Sequence, residues 1–153
     1  MSTDPHQLAT VLEYSEITDN IFIGTNQCCQ THFDESLLKR GLTADVSLEK
    51  ERFDAPFGVS FFLWLPVVDR TAPSMDQLHT GVDFLETMVR LNKKVYVHCR
   101  LGHGRAPTLV AAYLIKQGRS PEEAVDFVHS KRPVIHLETS QTESLVVYAE
   151  AVS

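Results

Sequence analysis

The chain has 153 residues, 43% of them hydrophobic, enough for one domain around one core. Its net charge of −6 argues against a nucleic-acid partner, which needs clustered lysine and arginine. The three cysteines, Cys28, Cys29 and Cys99, make no even disulfide framework and suit a reducing compartment.

Met1 to about Leu12 reads as a loosely held terminus of a single domain spanning the chain. Asn20–Gly24, "NIFIG", is a short strand. A helix is expected over Thr31–Arg40, with Gly41 just beyond its end. Ala44–Leu48 and Val59–Val67 read as buried strands, with Phe61, Phe62 and Trp64 as core residues. Asp69–Ser74 is a loop. Ser74 and Gln77 form a capping box, and Leu78, Val82, Leu85 and Val89 give the helix that follows one apolar face. Lys94–His98 is the next strand, and Arg105–Gly118 an apolar helix closed by glycine. Ser120-Pro121-Glu122-Glu123 starts another helix. A last helix begins near Ser140, with Glu143 at its third position. Strands alternating with helices imply an α/β fold, a small, mostly parallel central sheet flanked by helices. Ligands in such sheets bind beyond the carboxyl ends of the strands.

"VYVHCRLGHGRAPT" (Val95–Thr108) lies at such an end. Gly102 and Gly104 let the backbone N–H groups of Arg100, Leu101, Gly102, His103, Gly104 and Arg105 converge on one point. Those groups and the helix N-terminus form an anion site suited to phosphate. The same field favours a thiolate at Cys99, a nucleophile aimed at phosphorus. Arg105 brings a planar fork for two phosphoryl oxygens. Asp69, on a loop after a strand, is the candidate general acid for the leaving oxygen. Alone, it also fits an ordinary turn aspartate.

His98, Cys99, Gly102 and Arg105 match the HCxxGxxR signature, and the chain resembles the cysteine-dependent protein tyrosine phosphatase superfamily, in particular the small dual-specificity group. The resemblance runs from about Ser15 to Tyr148. "EITDNIFIG" resembles the opening strands, "LPVVDRTAPS" the acid-bearing loop, and "KRPVIHLETSQ" a segment that places Arg132, Pro133 and Gln141. It implies hydrolysis of phosphate monoesters through a phosphocysteine, with Cys99, Arg105 and Asp69 catalytic, residues 100–105 holding the phosphate, and His98 and Gln141 supporting. His98 is expected to bond near the cysteine backbone, with a packing role as the alternative. Gln141 either positions water or serves as first-turn polarity. A reaction needing ionised Cys99 and protonated Asp69 together has an acidic optimum.

A chain this short implies a shallow site open to phosphoserine, phosphothreonine and phosphotyrosine in a phosphorylated protein. Arg100 and His103 stand where inositol-lipid phosphatases of the superfamily often carry lysines, so a phosphoinositide is the alternative substrate; solvent-facing side chains are the plainer reading. Ala106 stands where the family usually has serine or threonine. The loop is in this respect similar to the phosphatase of regenerating liver group, although no C-terminal prenylation cysteine is present. Slow turnover is implied, and a phosphatase-fold binding module is a rival reading. A sulfurtransferase or arsenate reductase is another, less compatible with Asp69. No cofactor and no metal are expected, since the histidines and cysteines lack ligand spacing. Cys28 and Cys29 read as buried small residues or as a resolving thiol for Cys99. A cytoplasmic monomer without an integral membrane segment is expected.

Overall fold

The computed structural model describes residues 11–27 and 30–153. The expectations for Cys28 and Cys29, and for all but the last two residues of the terminal stretch, lie outside the described residues. The elements are β1 (Tyr14–Glu16), β2 (Ile21–Gly24), α1 (Glu35–Lys39), β3 (Leu42–Glu49), β4 (Phe61–Val67), α2 (Met75–Arg90), β5 (Lys94–His98), α3 (Arg105–Lys116), α4 (Pro121–Lys131) and α5 (Thr139–Val152). The strands form one sheet in the order β1-β2-β5-β3-β4. Only the β1–β2 pair is antiparallel, so the sheet is mostly parallel and flanked by helices, as expected. No described helix is long and apolar enough to cross a membrane.

Side chains alternate across the strands and build two cores. Ile21, Ile23, Val46, Leu48, Val95 and Val97 pack toward α2–α5. Phe22, Tyr96 and Phe33 pack with Leu37 of α1 on the opposite face. The central helix is α3, buried from Arg105 through Ile115. Capping boxes start α2 (Ser74, Gln77) and α4 (Ser120, Glu123), as the sequence indicates. On α2, Met88 is buried at the far end of the apolar face, and Val89 packs at its edge.

Four expectations are corrected. The first helix starts at Glu35, not Thr31, because the Asp34 side chain caps it by accepting from the Ser36 N–H at 2.8 Å. The last helix starts at Thr139, close to Ser140 as expected, but its third position differs. Glu138 is its cap and Gln141, not Glu143, fills the third position. Phe62 and Trp64 are not core residues. They lie on the outer face of edge strand β4, with 37% and 36% exposure, where Trp64 donates to the Glu49 carbonyl and packs edge-on against Phe53. Phe61 is only partly buried against the larger core.

Candidate active site

Three parallel strands deliver three groups to one end of the sheet. Glu51 follows β3, Asp69 follows β4 and Cys99 follows β5. Residues 99–104 then turn into α3. Each carbonyl from Arg100 to Gly104 is engaged by surrounding structure. The Arg100 carbonyl accepts from the Asn26 N–H, that of His103 from the His136 N–H, and that of Gly104 from the Thr108 N–H and hydroxyl. The Arg132 guanidinium donates to the carbonyls of Leu101 and Gly102, both at 2.9 Å. With its carbonyls held outward, the loop keeps its N–H groups free. Among the described residues, none of those at 100–104 donates to a protein acceptor. Gly104 caps α3 without a side chain, so the helix end joins the same anion cradle.

The loop's two glycines serve different ends. Gly102 has φ +71°, and a Cβ there would fall 2.7 Å from the Gly24 carbonyl oxygen. Gly104 has φ −133°, so the left-handed freedom expected of this glycine is not used. A Cβ at Gly104 would lie 3.0 Å from Gln141 Oε1, so close approach demands the glycine.

Arg105 is 1% exposed, and one edge of its fork is fully used. Nη1 and Nη2 donate to the two Glu51 carboxylate oxygens at 2.9 and 2.7 Å, and Nη1 also donates to the Val67 carbonyl at 2.8 Å. Nη2 lies 3.4 Å from Asp69 Oδ1. Nε is buried with no partner among the described residues. A buried guanidinium donor without an acceptor is costly unless a ligand supplies one. The bond from Arg105 holds the Glu51 carboxyl below its ordinary range, although partial burial opposes this.

A cleft of about 300 Å³ joins these groups. The structure brings Asp69, Cys99, Arg100, Leu101, His103, Gly104, Arg105 and Gln141 to its lining. Gly102 lies behind, as the loop's left-handed turn. Gln141 is buried. Its Oε1 accepts from the Glu138 N–H and its Nε2 donates to the Thr71 carbonyl, so it ties α5 to the loop carrying Asp69. Glu51, Arg70, His136 and Glu138 were not singled out from sequence. Glu51 had one readable signal, a carboxylate two residues past the carboxyl end of a buried strand.

His98 differs from its expected place. Its ring packs near Tyr96, on the α1 face of the sheet, whereas Cys99 belongs to the opposite core. Nε2 lies 3.3 Å from Asp45 Oδ1 and 3.8 Å from Asp54 Oδ2, and Nδ1 lies 3.4 Å from Glu49 Oε1. Burial alone lowers a histidine pKa, but Asp45 and Glu49 outweigh it and raise His98 to about 10. Arg52 completes the cluster through Asp54. Ligand atoms of Glu49, Asp54 and His98 lie within 4.8 Å of one another. The imidazolium already supplies the positive charge that a cation would bring there.

The profile of the "Dual specificity phosphatase, catalytic domain" family matches residues 21–151. The chain belongs to the dual-specificity phosphatase family. It is 40% identical over 93 residues to the human phosphatidylglycerophosphatase and protein-tyrosine phosphatase 1, covering 60% of this chain and 46% of that protein. It is 29% identical over 103 residues to human dual specificity protein phosphatase 5, covering 66% of this chain and 27% of that one. This domain thus spans about half or less of the length of these curated relatives. It is also similar to the crystal structure of PTPMT1 in complex with PI(5)P, with a TM-score of 0.77 and 28% identity over 91% of this chain and 96% of that one.

Proposed function

We propose that this dual-specificity phosphatase domain hydrolyses phosphate monoesters through a phosphocysteine, and that its preferred substrate is a phosphorylated lipid headgroup. The unpartnered Arg105 Nε, buried beside Cys99 in a cradle of free N–H groups, carries the proposal. The Cys99 thiolate attacks phosphorus, and the bond to the leaving oxygen breaks. Asp69 donates its proton to that oxygen. Water then attacks the phosphocysteine and gives a proton to the Asp69 carboxylate, and the thiolate leaves with release of inorganic phosphate. Arg105 and the loop N–H groups hold the equatorial oxygens throughout.

Sequence reading places a phosphorylated protein ahead of a phosphoinositide. Two observations reverse that order here. The 40%-identical relative carries phosphatidylglycerophosphatase as the first part of its name. The cleft mouth gathers Arg70, Arg100, His103 and His136 on an acidic protein, and Val68 and Leu101 are exposed beside them. Basic and apolar groups together suit a headgroup at a lipid surface. Phosphatidylglycerophosphate in mixed vesicles is expected to give a kcat/KM about tenfold or more above that of a phosphotyrosine peptide, with both lost in Cys99→Ser. A peptide preference would restore the protein reading, which the likeness to dual specificity protein phosphatase 5 favours.

Ala106 bears on the second half of the reaction. It is buried in the first turn of α3 and offers no hydroxyl to the departing thiolate. Stopped-flow hydrolysis of p-nitrophenyl phosphate is expected to show a burst followed by slow turnover. Ala106→Ser is expected to speed the slow phase about tenfold, the worth of one hydrogen bond to a charged group. Unchanged steady-state turnover in Ala106→Ser would count against phosphocysteine hydrolysis as the slow step.

A further inference from the structure

The phosphoryl cradle fills only the base of the cleft. Its volume of about 300 Å³ is at the lower end for sites that take a whole small ligand. His103 and His136 stand on its wall with ring centroids 5.3 Å apart, inclined at 55°. His103 is four residues past Cys99 in the same loop. The His136 N–H donates to the His103 carbonyl at 2.9 Å, which pins the segment before α5 against that loop. Neither imidazole is in a side-chain hydrogen bond or ion pair among the described residues. We propose that His103 and His136 form a second anion subsite, which takes the second phosphate of a phosphorylated polyol, the diester of a lipid headgroup or the far monoester of a free bisphosphate, while the reacting monoester lies over Cys99. The proposal rests on the phosphatase reading above and adds where the rest of the substrate sits.

The surrounding charges set how such a subsite works. Behind the pair, Arg132 is buried and already engaged by both Glu13 oxygens, at 2.7 and 2.8 Å, so it cannot swing out to meet a ligand. Arg70 and Arg100 line the mouth, with Asp69 and Glu138 as the carboxylates. Burial, then Arg132 and then His136, lower the His103 pKa, while Glu13 opposes them. The free site therefore disfavours a charged His103 near neutral pH. An anion against the His103 ring favours its imidazolium, so a second phosphate binds with proton uptake and binds best in acid. Both anions fall within one compact cleft, which a small polyol carrying two phosphates matches better than two phosphorylated side chains of a peptide.

The test reads binding, so a failure of turnover leaves it readable. Cys99→Ser protein is titrated calorimetrically with glycerol 1,3-bisphosphate and with glycerol 3-phosphate, in buffers of different ionisation enthalpy. The bisphosphate is expected to bind about tenfold more tightly near pH 6 and almost equally near pH 8, with additional proton uptake. His136→Asn and His103→Asn, each on the Cys99→Ser background, are expected to remove the pH dependence of that preference. Vesicles holding phosphatidylglycerophosphate form the second arm. The same loss there names the lipid diester as the source, a loss confined to the soluble compound names a free bisphosphate, and both support the subsite. A preference that ignores pH, or one that survives both histidine substitutions, overturns it. So does a doubly phosphorylated peptide that shows the preference when neither polyol ligand does.

Discussion

Glu51→Gln is expected to lower kcat/KM for p-nitrophenyl phosphate by about two orders of magnitude and to weaken vanadate binding about tenfold. Arg105 is buried, and its two Nη atoms are fixed on the Glu51 oxygens at 2.7 and 2.9 Å. That bidentate grip, with the Val67 carbonyl, orients the fork and leaves Nε to a ligand. Glutamine removes the negative charge and turns an N–H₂ toward one Nη. The guanidinium then has only Asp69, 3.4 Å away, as a nearby carboxylate. Pairing with it would draw the candidate acid out of its role. Glu51 also suits acid conditions, because the bond from Arg105 holds its carboxyl below the ordinary range. A folded-state pKa below the unfolded value means that the clamp is kept above the ordinary carboxylate range and lost only as pH falls through the lowered one. The grip thus persists into acid conditions. The opposite result, tighter vanadate binding in Glu51→Gln, would mean that Glu51 competes with substrate for Arg105.

The difference between what could and could not be read from sequence follows from how the site is assembled. Cys99, the glycines and Arg105 lie in one contiguous stretch, and a strand, a loop and a helix start are each recognisable there. Asp69 was reachable because a turn-rich loop follows a buried strand. Glu51 and His136 come to the cleft only through the parallel order β5-β3-β4 and the backbone bond between His136 and His103, which no local pattern encodes. Gln141 lies in a segment legible from sequence, but its task is structural as well. It closes a capping box and holds Thr71, and its nearness is what forbids a side chain at Gly104. The alternation of β3 hid its charges. Asp45 sits in, and Glu49 just beyond, the stretch Ala44–Leu48 that reads as a buried strand, and the tertiary partner His98, with Asn26 donating to Glu49, makes the two carboxylates tolerable there.

That partner gives the second large effect. Stability is expected to fall steeply between about pH 7 and pH 10, by an amount on the order of 3 to 5 kcal/mol. His98 is raised from 6.5 to about 10, because Asp45 and Glu49 overcome the burial that opposes its charge. A folded-state pKa above the unfolded one means that the stabilisation is complete below about 6.5, declines through the window, and is gone above about 10. The groups around it do not imitate this. Burial raises Asp54 from an ordinary value that lies on the acid side of the window. Burial likewise raises Tyr96, Tyr113 and Tyr148, so their linkage to folding acts at and above the ordinary tyrosine value of 10. The lowered pKa of His103 acts on the acid side. Urea unfolding of the unaltered protein at intervals from pH 6 to 10 reads the slope directly. His98→Gln leaves Asp45 and Glu49 buried without a cation, so it is expected to be less stable at pH 7 and to lose most of the slope. A flat profile in the unaltered protein would mean that the folded state binds no more protons than the unfolded chain across this window, and that His98 is neutral when folded.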